Sequence, residues 1–300
     1  GLNIDFQLNN HSTINYAFNP DFGQIEQDPS MINLTSYEPY FEEKRVFFNS
    51  NPSIFYTPMN TFYSRRIGGY VNIDDYNYNM DILHAFKFSG KTSSGLSYGT
   101  IFSNSHVEEY SSNYNIESFV GRISKDILRG NSYIGIMNTV YNSQDNSSKV
   151  YSIDGLINLY NNSLRLDGQS ALQEGLGSQG LGHSYEISYT GKLFLERLNF
   201  FNNAIYDIWI NFEKFDKKFN INDLGYLYRN NFKKTQFGIG YTKTNPNNHV
   251  LKQLFNIRIN KEGNIDYNDL KSYYSFNGNL IFKNYWELQF SYLYHDEYFD

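Results

Sequence analysis

The chain has 300 residues, 31 acidic against 25 basic side chains, a net charge of −6 and no cysteine. Without cysteine there is no disulfide framework, no thiolate metal site and no cysteine nucleophile. The negative balance, with no long basic run, argues against a nucleic-acid partner.

Mean hydropathy is −0.57, yet there are 28 Tyr and 25 Phe. That combination suits a β-barrel, in which one face of each strand meets lipid and the other meets water. AT-rich coding would also enrich Phe, Tyr, Asn, Ile and Lys, so the strand pattern has to decide. No stretch of 18 apolar residues is present, and the start, GLNIDFQLNN, has neither a basic n-region nor an apolar h-region. A β-barrel needs no apolar helix, because closed strands satisfy their own backbone groups.

Residues 2–8 and 11–18 are predicted as a hairpin turning at Asn9-Asn10. In the second strand Ser12, Ile14, Tyr16 and Phe18 share one face. The next stretch, Asn19 to Phe48, breaks the pattern. It carries Pro20, Pro29 and Pro39, with Pro52 close behind. Residues 36–45 are expected to make a helical turn with Pro39 in its first turn. Residues 70–79 read as a polar loop. Residues 19–80 together are predicted to be an irregular segment folded inward, like a plug.

From Asp81 the chain alternates. Strands are predicted at 81–90, 95–105, 115–128, 132–143, 149–160, 163–173, 184–194, 203–213, 232–243, 251–260, 271–282 and 284–295. Glycine-rich 174–182 reads as an adaptable loop. It is no phosphate loop, since no Lys-Ser/Thr follows it. Alternation is clearest late in the chain. Trp286, Leu288, Phe290, Tyr292 and Tyr294 oppose Glu287, Gln289 and Ser291. Runs of about ten residues separated by turns are read as an all-β antiparallel transmembrane barrel of about fourteen strands; a large soluble β domain, whose strands usually run nearer 5–6 residues, is the alternative. The domain reading is one barrel domain over residues 1–300, with a first hairpin 1–18, the plug-like segment 19–80 and barrel strands 81–300.

Two candidate sites fall in the irregular segment. Asp21, Glu26 and Asp28 offer hard oxygens to a calcium ion, but their spacing fits no EF-hand loop, and turn-capping or pairing with arginine is the favoured role. Glu38, Glu42, Glu43, Lys44, Arg45, Arg65 and Arg66 form a charged cluster for the lumen. Bidentate pairing within the segment is favoured over a substrate-facing constriction. Tyr63, Tyr226, Tyr228 and Trp209 could stack on sugar rings, though aromatic girdles explain such residues at least as well; Trp286, Tyr292 and Tyr294 fit the girdle. The six histidines are scattered without metal-ligand spacing, and no Gly-x-Ser-x-Gly elbow occurs. No catalytic residue and no cofactor is therefore expected.

The runs NPDFGQIEQDP at 19–29, NLTSYEPYFEEKRVFF at 33–48, YSRRIGG at 63–69, KFSGKTSSGLSYG at 87–99, FVGRISKDILRGNSYIG at 119–135 and FNINDLGYLYRNN at 219–231 occur in one order. In that order they resemble the outer-membrane barrel domain of unknown function found in gram-negative bacteria, usually C-terminal to a family-9-like carbohydrate-binding domain. The resemblance implies the bacterial outer membrane, lipid contact and an attached N-terminal carbohydrate-binding domain. It also implies a barrel longer than this chain, with further strands on the C-terminal side. The function expected is a channel or carrier-like barrel linked to carbohydrate binding or uptake, its lumen partly filled by residues 19–69, with oligosaccharide as a candidate partner. Two alternatives are a non-transporting anchor for the carbohydrate-binding domain and a membrane-associated hydrolase.

Overall fold

The structure, a computed structural model, describes residues 1–20, 38–73, 76–107, 114–175, 177–192, 203–266 and 269–297. It is all-β apart from a few short helical turns. Among the described residues sixteen strands follow one another: β1 (Leu2–Asn9), β2 (Ser12–Phe18), β3 (Tyr70–Ile73), β4 (Tyr76–Asn79), β5 (Asp81–Lys91), β6 (Leu96–His106), β7 (Asn115–Ile127), β8 (Ser132–Asn142), β9 (Ser147–Leu159), β10 (Leu164–Gly175), β11 (Ser178–Gly191), β12 (Ile205–Phe215), β13 (Phe232–Lys243), β14 (Val250–Gly263), β15 (Asp269–Phe282) and β16 (Glu287–Glu297). Fourteen of them form one antiparallel sheet in the order β1-β2-β5-β6-β7-β8-β9-β10-β11-β12-β13-β14-β15-β16, and β3 and β4 form a separate ribbon. The fourteen strands expected from alternation are these fourteen. Among the described residues β1 and β16 are the two edges, so the sheet is not closed into a barrel.

The described chain divides into two compact units. The first holds residues 1–155, 169–182 and 218–230; the second holds 156–168, 183–217 and 231–300. In the first unit, strand register lines up side chains of one face in rows across the sheet. One row is Phe86, Phe102, Phe119 and Val140. The adjacent row, on the opposite face, is Lys87, Ile101, Val120 and Thr139. The first face is open: Phe102 is 42%, Ile136 56% and Ile153 54% exposed. The second face is covered, and it buries Ser89, Ser103, Ser118, Arg122, Asp154 and Gln169 beside its apolar residues. Polar groups covered and large apolar groups exposed is the reverse of a water-soluble sheet.

In the second unit the alternation is equally regular. Ile208, Ile239, Ile257, Phe276 and Tyr292 form one row across β12 to β16. Gly240, Asn256, Asn277 and Ser291 form a row on the other face. The faces are separated as apolar against polar because a strand's side-chain period of two is kept in register through five strands.

Three expectations need correction. Residues 38–45 are not helical; the turn of helix is Val46–Asn49, just after them. The Glu43 carboxylate accepts the backbone N–H groups of Lys44 and Arg45 at 3.0 and 2.8 Å, and so holds the chain in a non-helical bend. Of the expected polar loop 70–79, residues 70–73 and 76–79 are the paired strands β3 and β4, and Ile73 (5% exposed) sits in the core. The glycine-rich stretch is mostly strand: β10 runs to Gly175 and β11 starts at Ser178, with Gly177 at φ +75° between them, while Gly180 and Gly182 give room to Phe219.

Candidate functional site

In the first unit two connections fold onto the covered face of the sheet. One is residues 38–69, between β2 and β3. The other is 218–230, between β12 and β13. Each brings apolar residues spaced for burial: Phe47, Phe48, Phe55 and Ile67 from the first, Phe219, Ile221 and Leu224 from the second.

The first connection is tied internally by Arg45. Its Nε and Nη2 donate to the two carboxylate oxygens of Glu43 at 2.8 and 2.7 Å. Nη1 donates to the Ile67 carbonyl at 2.5 Å, and Nη2 to the Ser64 carbonyl at 2.7 Å. The guanidinium carbon lies 4.2 Å from the Phe48 ring centroid, and the Ser64 hydroxyl donates to Glu43 at 2.6 Å. A planar fork with several donors can hold both ends of this loop at once; an ammonium cannot. Arg65 donates to the Glu42 backbone carbonyl at 2.8 and 2.5 Å, so Glu42 takes part through its main chain. Arg66 pairs with Glu38 at 2.7 Å and donates to the Gly225 carbonyl at 3.0 Å.

The structure therefore brings Glu38, Glu42, Glu43, Arg45, Arg65 and Arg66 together, and Lys44 adjoins them through its backbone bond to Glu43. Asp21, Glu26 and Asp28 lie outside the described residues. Two residues that fasten the segment to the wall were not among the candidate site residues. Lys87 is fully buried on β5 and donates to the carbonyls of Phe47 and Ser50, at the C-terminal end of the helical turn. Gln169 on β10 accepts the Met59 N–H at 2.7 Å and donates to Thr61 Oγ1 at 3.1 Å. The legible signal for Lys87 was its place between Phe86 and Phe88, on the opposite face from both.

The second connection seals against the first. Tyr63 N–H donates to the Leu224 carbonyl at 2.7 Å, and Tyr226 N–H to the Asn60 carbonyl at 3.0 Å. Tyr40, Tyr63 and Tyr226 form a ring cluster with centroids 5.0 to 5.5 Å apart, and the Tyr226 hydroxyl donates to the Glu38 carbonyl at 2.6 Å. Tyr63 and Tyr226, weighed above as sugar stackers, are here joined to each other and to Tyr40.

Phe219 is the other fastening point. A Cβ on Gly180 would lie 2.4 Å from Phe219 N and 2.5 Å from its Cα, and one on Gly182 2.5 Å from its ring. Backbone cannot swing aside as a side chain can. Gly180→Ala is expected to cost about 1–3 kcal/mol through overpacking. It should also raise protease cleavage and hydrogen exchange within 218–230. Unchanged exchange there would show that the contact is dispensable.

Charge in this site is set by burial and by partners. Burial pushes the Glu43 carboxyl up, but the hydrogen bonds and charge of Arg45, with the Ser64 hydroxyl, outweigh it and hold it below its ordinary value. Burial pushes the Asp223 carboxyl up, against hydrogen bonds from Ser148 and Asn146 and the charge of Arg66. The two act oppositely on stability. Glu43 stabilises the fold above the ordinary carboxylate range and loses this as pH falls through its lowered value. Asp223 contributes at low pH and loses this as pH rises through its raised value. Glu43→Gln should therefore flatten the acid-side fall in unfolding temperature, and Asp223→Asn should raise that temperature at neutral pH. Thermal scans from pH 7 to pH 3 would read both.

Two polar cavities lie at opposite ends of the first unit's strands. One, of about 580 Å³, is lined by His11 in the β1–β2 turn, by Gly90 of β5 and Ser124 of β7, and by Asn51 and Tyr56 of the first connection. The other, of about 630 Å³, is lined by Glu38 and Arg66 of the same connection, by Asp223, and by Tyr114 and Tyr141 at the ends of β7 and β8. The first connection thus contributes walls to both.

These features define an all-β protein: one long antiparallel sheet, with two connections fastened by buried polar groups to its covered face. The chain belongs to the family described as Domain of unknown function (DUF5916), whose model matches residues 1–300. No curated protein and no solved structure matches it.

Proposed function

We propose that the chain forms the wall of a β-barrel in the bacterial outer membrane, with residues 38–69 and 218–230 as a two-piece plug, and that it admits or carries a polar solute. The observation that carries this reading is the exposed apolar face backed by a covered polar one, the lipid-out, polar-in arrangement of a membrane barrel. A bilayer offers no water to the unpaired backbone rows of β1 and β16, so in a membrane these edges must take partners as the barrel closes. The two polar cavities, with the first connection lining both, are the vestibules of a lumen that the plug divides. No catalytic step is assigned to it.

The second reading, a non-transporting anchor for an attached carbohydrate-binding domain, draws support from the density of bonds that hold the plug. Planar-bilayer recordings separate the two. A plugged carrier should conduct little as it stands and several-fold more once 38–69 is deleted. Equal conductance in both, with glycan binding confined to the attached domain, would leave the anchor and end the channel reading. Fractionation comes first: a protein that stays soluble without detergent is neither.

A further inference from the structure

We infer that the cavity between Tyr114, Tyr141 and Asp223 binds a neutral, polyhydroxylated ligand, a short oligosaccharide; this rests on the plugged-barrel reading and gives its solute a chemical class. The cavity's volume, about 630 Å³, falls in the range of small-ligand sites, roughly 300–1,000 Å³. Its chemistry narrows the occupant by steps.

Acceptors with spare capacity dominate the lining. Asp145 takes the Tyr114 hydroxyl at 3.0 Å, and Asp223 takes the Asn146 amide at 2.9 Å. Each carboxylate has about four lone-pair positions, so both can accept more. The lining's cation, Arg66, is already committed to Glu38 and to the Gly225 carbonyl. An anionic ligand would face two carboxylates with no uncommitted cation. A purely apolar ligand would strip both carboxylates of water without replacing it. An ammonium would meet the Arg66 guanidinium on the same wall. A polyol meets each demand: hydroxyls donate to Asp145 and Asp223, and the C–H faces of the ring lie on tyrosine. Tyr70, 74% exposed at the cavity rim, offers an open ring for this. Burial, which holds Asp223 above the ordinary carboxylate range, agrees with a neutral donor at that end.

The test is calorimetric titration of the full chain in detergent with linear maltohexaose, cellohexaose, xylohexaose and mannohexaose, and with spermidine and inorganic phosphate. At least one hexaose should bind. Tyr70→Ala and Asp145→Asn, both outside the fastening contacts of the plug, should each weaken it about tenfold, the effect of one lost charged hydrogen bond or stacking contact. Failure of every hexaose to bind, or binding indifferent to both substitutions, overturns the inference. Spermidine binding that Asp145→Asn abolishes overturns it in favour of an amine site. Conductance decides the plugged-barrel reading separately. Hexaose binding in a protein that never conducts supports this site and ends the channel, whereas conduction without hexaose binding does the reverse.

Discussion

Arg122→Met is expected to lower the stability of the fold by about 3–5 kcal/mol, the cost of leaving one member of a buried ion pair alone. Arg122 on β7 donates from Nη1 and Nη2 to the two oxygens of Asp154 on β9, both at 2.6 Å, and the side chains are 3% and 0% exposed. The pair crosses over β8 at Gly135, where a Cβ would lie 3.0 Å from Arg122 Nη2 and 3.2 Å from Asp154 Oδ1. Any side chain there would crowd the bridge. The bond thus laces three strands together on the covered face. Removing the guanidinium strands a carboxylate where water cannot reach it; removing both partners does not. The double variant Arg122→Met/Asp154→Leu should recover most of the loss, since well-packed apolar replacements of buried pairs are often neutral or stabilising. Thermal unfolding of the single and double variants gives the coupling. A single variant that costs no more than an exposed pair, about 0–1 kcal/mol, would show that the bridge is solvated.

Arg45→Met should produce a loss of similar size, about 3–5 kcal/mol, but confined to the segment 38–69. The substitution takes the guanidinium away from the Glu43 carboxylate, which keeps only the Ser64 hydroxyl and the backbone N–H groups of residues 44 and 45, and from the Ser64 and Ile67 carbonyls. The wall has its own ladder hydrogen bonds and should persist. The expected readout is therefore selective: faster hydrogen exchange and protease cleavage at 38–69, with the strand amides of β6 to β8 still protected. Arg45→Lys should not restore protection, because a point cation cannot reproduce a fork that spans a carboxylate and two carbonyls. Full rescue by lysine would mean that charge alone, without geometry, holds the segment. In bilayers the same Arg45→Met protein should conduct more than its parent, which ties the stability of the plug to the proposed function.

The strands were legible because period-two alternation is local. Each run from Asp81 onward carries its own face pattern, and the turn residues between runs mark the boundaries. The charged cluster was partly legible for the same reason: Glu38 to Arg45 lie close in sequence, and Arg65 and Arg66 follow within one connection. The role of Glu42 was not legible, since a backbone carbonyl has no sequence signature. Residues 219–231 stood out as a motif, yet nothing local shows that Tyr226 would bond to Asn60 or that Phe219 would need glycines on β11. The glycines of 174–182 read as freedom, and the structure uses two of them as space.

The amino-acid sequence by itself determined an all-β chain, the number of strands in its long sheet, the separation of an apolar from a polar strand face, and a charged irregular segment ahead of β5. The tertiary structure decided which polar residues meet: Lys87 with the helical turn, Arg122 with Asp154, Gln169 with Met59 and Thr61, and the second connection with the first. The physical reason is range. Alternation follows from the backbone geometry of a single strand. Partners such as Arg122 and Asp154, on strands either side of a third, are set by register accumulated across neighbouring strands, in which a slip of one residue would turn each side chain to the opposite face.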